Sequence, residues 1–118
     1  MAGLLALHLD RWSLWGDEVF TWGVIHRDLN VIVASAAGDR HPPLYYLVVA
    51  PFRVLPDRDW ILRLPSALAA LGAVLLVRWG VPRFLDERIG IRAAWVLAVS
   101  PVVVLFGVTA RMYAFLLL

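Results

Sequence analysis

The sequence predicts an all-α fold, a bundle of membrane-crossing helices with interfacial helices in a long first outer loop. Three observations predict it. Apolar residues make up 62% of the 118-residue chain and charged ones 17%, against about 45–50% and about 25% in soluble domains. Mean hydropathy is +0.78, which argues against a disordered chain. The longest apolar runs approach the roughly 20 residues that cross a bilayer as a helix.

The elements follow in chain order as one membrane domain. Residues 1–9 read as the end of a first span. Residues 10–63 form an outer segment punctuated by Trp12, Trp15 and Trp22, as expected where aromatic rings sit at headgroup level. Within it, Asp28 caps a short helix from Leu29 that Gly38 ends. His41-Pro42-Pro43 opens another, over 44–52, too short to cross and therefore interfacial or re-entrant. Residues 64–81 form a span, with Arg78 near its end. An inner loop, 82–92, precedes a second span over 93–110 that is kinked at Ser100-Pro101. Residues 111–118 make an outer turn and start a further span. The chain begins at the end of one apolar run and stops inside another, the pattern of a piece of a larger multi-pass protein. No internal repeat, low-complexity tract or Gly/Ser linker interrupts it.

Charge sets the orientation. Arg78, Arg83, Arg88 and Arg92 face only Asp86 and Glu87 within 78–92, whereas 10–63 holds six arginines against seven acids. The denser basic loop is the cytoplasmic one by the positive-inside rule. Asp17-Glu18 and Arg111 then lie together on the outer face, provided the 44–52 helix does not cross.

Composition removes several chemistries. With no cysteine there is no disulfide, thiolate metal site or cysteine nucleophile. All 11 basic residues are arginine, so Schiff-base and P-loop lysines are absent. The pI near 9.7 does not mark a nucleic-acid binder, because the arginines are scattered singly among apolar runs. His8 and His26 stand alone, without a second ligand at metal spacing.

Four polar groups remain as candidates, and each also has an ordinary explanation. Asp17-Glu18 suits a general base or a divalent-cation ligand, or is a solvated pair favouring a helix N-terminus. His41 and Tyr45, in the His41–Tyr46 stretch, suit contact with a sugar or phosphate, or form a helix start followed by an aromatic belt. Arg63 and Arg111 suit an anionic partner, or serve as interfacial anchors. Tyr113 follows Arg111 where an apolar run resumes almost at once.

The order of these motifs carries more than any one of them. Asp17-Glu18, His41-Pro42-Pro43-Leu44-Tyr45-Tyr46, Arg63-Leu64-Pro65-Ser66, Ser100-Pro101 and Ala110-Arg111-Met112-Tyr113 together resemble the N-terminal part of GT-C superfamily membrane glycosyltransferases. The branch is that of dolichyl-phosphate-mannose–protein mannosyltransferases and the lipid A aminoarabinose transferase. The resemblance covers nearly the whole chain but only the front portion of such enzymes.

It implies transfer of a sugar from a polyprenyl-phosphate donor to a lipid, glycan or protein acceptor, with inversion, at the outer face of a bacterial inner membrane. It further implies Asp17 as general base supported by Glu18, and Arg63 and Arg111 opposite the lipid phosphate. His41, Tyr45 and Tyr113 fall to substrate binding. These residues specify no cofactor, though the Asp17-Glu18 pair also suits a divalent cation. One departure from the family is that Val108-Thr109 stands where many relatives carry an acid. Two other readings compete: a non-enzymatic multi-pass protein, such as a transporter or flippase subunit, and an inactive truncated product. Scarcity of charge within the spans counts against a transport path.

Overall fold

A computed structural model describes residues 1–9, 13, 14, 16–38, 43–55 and 58–118; the side chains of Leu29, Ser35, Ala36, Ala37, Gly38 and Pro43 are not among the described parts. His41, Trp12 and Trp15 lie outside the described residues. Among the described residues every regular element is helical. Seven α-helices are named here: α1 (Ala2–His8), α2 (Gly16–Ile25), α3 (Leu29–Gly38), α4 (Pro43–Val49), α5 (Asp59–Gly80), α6 (Glu87–Val99) and α7 (Pro101–Gly107). Short 3-10 stretches cover Ala50–Val54, Val81–Arg83 and Met112–Leu117.

Helix α5 is the axis of the fold. Its 22 residues extend about 33 Å at about 1.5 Å per residue, matching a hydrocarbon core of about 30 Å. It starts earlier than residue 64, because Asp59 supplies a favourable acid in its first turn. Pro65 lies inside it and removes one backbone hydrogen bond near the start. With the 3-10 turn that follows, it is the one helix among the described residues long and apolar enough to cross a membrane.

The second expected span is broken. Helix α6 begins at Glu87, inside the expected inner loop, because the Asp86 side chain accepts from the backbone N–H of Arg88 at 2.9 Å. The helix stops at Ser100, whose ψ of 122° is extended. Proline at 101 favours this, since its ring crowds a helical residue before it, although α5 carries Pro65 without breaking. The axes of α6 and α7 differ by 63°, and the helix ends at Gly107 rather than 110. A kink that large makes α6–α7 either a broken crossing or a re-entrant turn, not a straight span. The 44–52 helix likewise divides: Pro51 lacks the N–H that would continue α4, and the chain tightens into the 3-10 turn Ala50–Val54.

Packing falls into three layers along α5. Near its N-terminal end, Leu62 joins Val24 and Ile25 of α2, Ile32 of α3, Tyr45, Tyr46 and Val49 of α4, and Ala110. In the middle, Ala69 and Ala70 meet Val103 and Ala114. Toward the far end, Val74 meets Ala94 and Ala98 of α6. Small residues on these faces let backbones approach closely. At Gly107 a Cβ would sit 2.7 Å from Leu5 Cδ2 and 3.0 Å from Ala70 Cβ. At Gly90 it would sit 2.8 Å from the Pro82 ring. Large apolar side chains on the outward faces of α5 to α7 stay exposed, among them Leu76, Trp79, Trp95, Val96 and Val102.

Candidate functional site

The site forms at the N-terminal end of α5, where α2 and the segment after α7 converge. Adjacent acids on α2 diverge because successive helical residues point about 100° apart. Glu18 faces inward and is fully buried, while Asp17 is 65% exposed.

Burying a carboxylate requires a partner, and Arg63 of α5 provides it. Its side chain is 3% exposed. Nε donates to Glu18 Oε1 at 2.9 Å and Nη2 to Oε2 at 2.7 Å. This two-point geometry fixes both planes. The remaining donors reach backbone carbonyls, with Nη1 on Leu9 O at 2.8 Å and Nη2 on Ser13 O at 3.4 Å. The arginine thus ties the chain before α2 to α5.

Glu18 Oε1 also accepts the backbone N–H of Ala110 at 2.8 Å. Two hydroxyls grip the same short segment: Thr21 Oγ1 lies 3.3 Å from Ala110 O and Ser66 Oγ 3.1 Å from Arg111 O. Glu18, Thr21 and Ser66 therefore hold the backbone at 110–111 in place. The backbone N–H of Arg111 in turn donates to Thr109 O at 2.8 Å.

So held, Arg111 extends toward α2 and places Nη2 2.6 Å from Asp17 Oδ2. Burial disfavours the Arg111 charge, but the hydrogen bond and charge of Asp17 outweigh it and raise the guanidinium pKa. Its Nε is buried with no hydrogen-bond partner among the described residues. The Tyr45 hydroxyl is in the same condition, close to Ser66. Burial pushes the Tyr45 phenol upward, so it stays neutral at physiological pH. Its ring packs edge-on against Tyr46 at 5.4 Å and Phe115 at 5.6 Å. Two buried orphan atoms beside one ion pair are what an oxygen from water or ligand would satisfy.

Asp17, Glu18, Tyr45, Arg63 and Arg111 thus gather at one end of α5. Tyr113, two residues past Arg111, stacks on Phe106 at 5.2 Å and remains partly exposed. Thr21, Ser66 and the Ala110 amide also belong to the site, and sequence reasoning did not select them. Spacing held the signal for the first two: Thr21 is three residues after Glu18 and Ser66 three after Arg63, each on its partner's helix face.

Both Glu18 oxygens are occupied by Arg63 or the Ala110 amide. Among the described residues no group of three or more His, Asp or Glu side chains gathers to hold an ion. Comparison with known proteins brings no relative to bear: no protein-family model, curated protein or solved structure matches the chain.

Proposed function

We propose that the chain belongs to a multi-pass membrane glycosyltransferase that moves a sugar from a polyprenyl-phosphate donor to a hydroxyl acceptor at the non-cytoplasmic face. One observation carries the reading. An exposed carboxylate, Asp17, and a braced guanidinium, Arg111, meet at 2.6 Å at one end of a membrane-length helix. The resemblance of the motif series to GT-C enzymes supports it independently.

In this reading Asp17 takes the proton of the acceptor hydroxyl while that oxygen bonds to the anomeric carbon. The bond from that carbon to the phosphate oxygen breaks on the opposite face, inverting the centre. Arg111 stabilises the charge that grows on the departing phosphate, an interaction stronger in the transition state than before it. Asp17 and Arg111 part when donor and acceptor enter between them, and the buried Arg111 Nε and Tyr45 hydroxyl are spare donors for incoming oxygens.

The geometry favours different duties for the other two charged residues. Both Glu18 oxygens already accept from Arg63, which is committed to them, so they are positioning residues that set the Asp17 backbone and the 110–111 segment. A phosphate contact by Arg63 would require breaking that buried pair. The 3-10 turn at Met112–Leu117 and helix α4 flank the site and suit the path of a polyprenyl chain.

The test is sugar transfer from polyprenyl-phosphate-linked donors in membranes containing the encoded protein. Asp17→Asn should abolish transfer while the helical content and membrane insertion stay unchanged. Transfer at the wild-type rate in that variant overturns the role of Asp17. Substrate uptake by vesicles with no sugar transfer would instead favour a transport protein.

A further inference from the structure

The opposite end of α5 carries a second charged feature, far from the Asp17–Arg111 pair. Helix α5 turns through Val81–Arg83 into α6, making a helical hairpin. Residues 78–92 hold Arg78, Arg83, Arg88 and Arg92 and the two acids Asp86 and Glu87, a net charge of +2. Both acids have local duties. Glu87 pairs with Arg78 at 3.2 Å, and Asp86 caps α6 through the Arg88 amide.

Arg83, Arg88 and Arg92 are exposed, and none has a side-chain partner among the described residues. Apolar groups are exposed beside them. Phe84, at the point of the turn, is 88% exposed, and Leu85 and Trp79 are also open. A rigid turn does not require Phe84 to face water: Pro82 packs against Gly90, and the Phe84 amide donates to Val81 O at 3.0 Å.

We infer that this hairpin tip is a docking surface for anionic phospholipid headgroups. The unpaired guanidiniums meet phosphate oxygens by charge-assisted hydrogen bonds. Phe84 and Leu85 enter the glycerol and upper acyl region, where interfacial aromatic residues are favoured. Trp79, one turn back along α5, lies at the same boundary. An acidic protein would match the arginines but not the exposed apolar point between them. The inference rests on α5 crossing a bilayer and not on glycosyl transfer.

The experiment reconstitutes the chain into phosphatidylcholine vesicles carrying a trace of spin-labelled phosphatidylglycerol or spin-labelled phosphatidylcholine. Electron paramagnetic resonance reads the motionally restricted lipid, and flotation after alkaline wash reads insertion. Wild-type protein should restrict the anionic label about fivefold more strongly, the ratio for about 1 kcal/mol from a guanidinium near the headgroups. Arg83→Gln/Arg88→Gln/Arg92→Gln should bring the ratio near one with insertion retained. Arg27→Gln/Arg58→Gln, at the other end, should leave it unchanged. Insertion without any anionic preference, or a preference that survives the triple substitution or vanishes with the distal pair, overturns the docking surface alone. Failure to insert overturns the membrane reading as well.

Discussion

Glu18→Gln tests the clamp at the centre of the site. Gln keeps the side-chain shape, and its oxygen can still accept the Ala110 N–H that Glu18 now holds at 2.8 Å. What disappears is the charge opposite Arg63, and an amide NH2 then faces the Nη2 donor that now lies 2.7 Å from Oε2. Arg63 is 3% exposed and cannot turn to water. The carbonyls of Leu9 and Ser13 remain as acceptors but carry no full charge. Removing one partner of a buried pair costs about 3–5 kcal/mol, and the surviving carbonyls place the expected loss near the lower figure. Arg63→Met alone leaves a buried carboxylate with one donor and should cost at least as much. The double variant Glu18→Gln/Arg63→Met holds no buried charge and should recover about 2 kcal/mol of the summed losses. Equilibrium unfolding in mixed micelles, followed by far-ultraviolet circular dichroism across an SDS titration, measures all three. Additive losses, or a Glu18→Gln loss under about 0.5 kcal/mol, the size of an ordinary surface substitution, would refute the clamp.

Other outcomes follow from the same packing. Tyr45→Phe removes a buried hydroxyl that has no hydrogen-bond partner within bonding geometry among the described residues, so stability in the same titration should stay level or rise by up to about 1 kcal/mol. Because burial raises the Tyr45 pKa, the phenol contributes fully below the unfolded-state value of about 10. Above that pH the unfolded chain ionises first and stability falls. The wild type should therefore lose more stability than Tyr45→Phe between neutral pH and pH about 11, and parallel curves would contradict the assignment. Gly107→Val should cost about 1–3 kcal/mol by pushing α7 off α5 and Leu5, and an unchanged SDS midpoint would show that the approach is not close.

The sequence by itself determined that the chain is helical and strongly apolar; of the two spans it predicted, over 64–81 and 93–110, the structure has one straight helix long and apolar enough to cross a membrane. The sequence also located Asp17-Glu18, Arg63 and Arg111 as the charged residues worth attention, because charge is rare among runs that must bury apolar surface. Helix breaks were legible at Ser100-Pro101, where proline chemistry is local. Their size was not: the 63° bend depends on what α7 packs against. Pairing was invisible as well. Arg63 and Arg111 look alike in sequence, each a single charge followed by mostly apolar residues, and both suited a phosphate. Only the tertiary structure turned Arg63 inward onto Glu18 and left Arg111 for Asp17. The reason is angular. Asp17 and Glu18 are neighbours in sequence but about 100° apart around α2, so one must meet the core and the other solvent. Which buried guanidinium answers the inward acid depends on how α2, α5 and the 110–111 segment close on one another, and no local pattern encodes that distance.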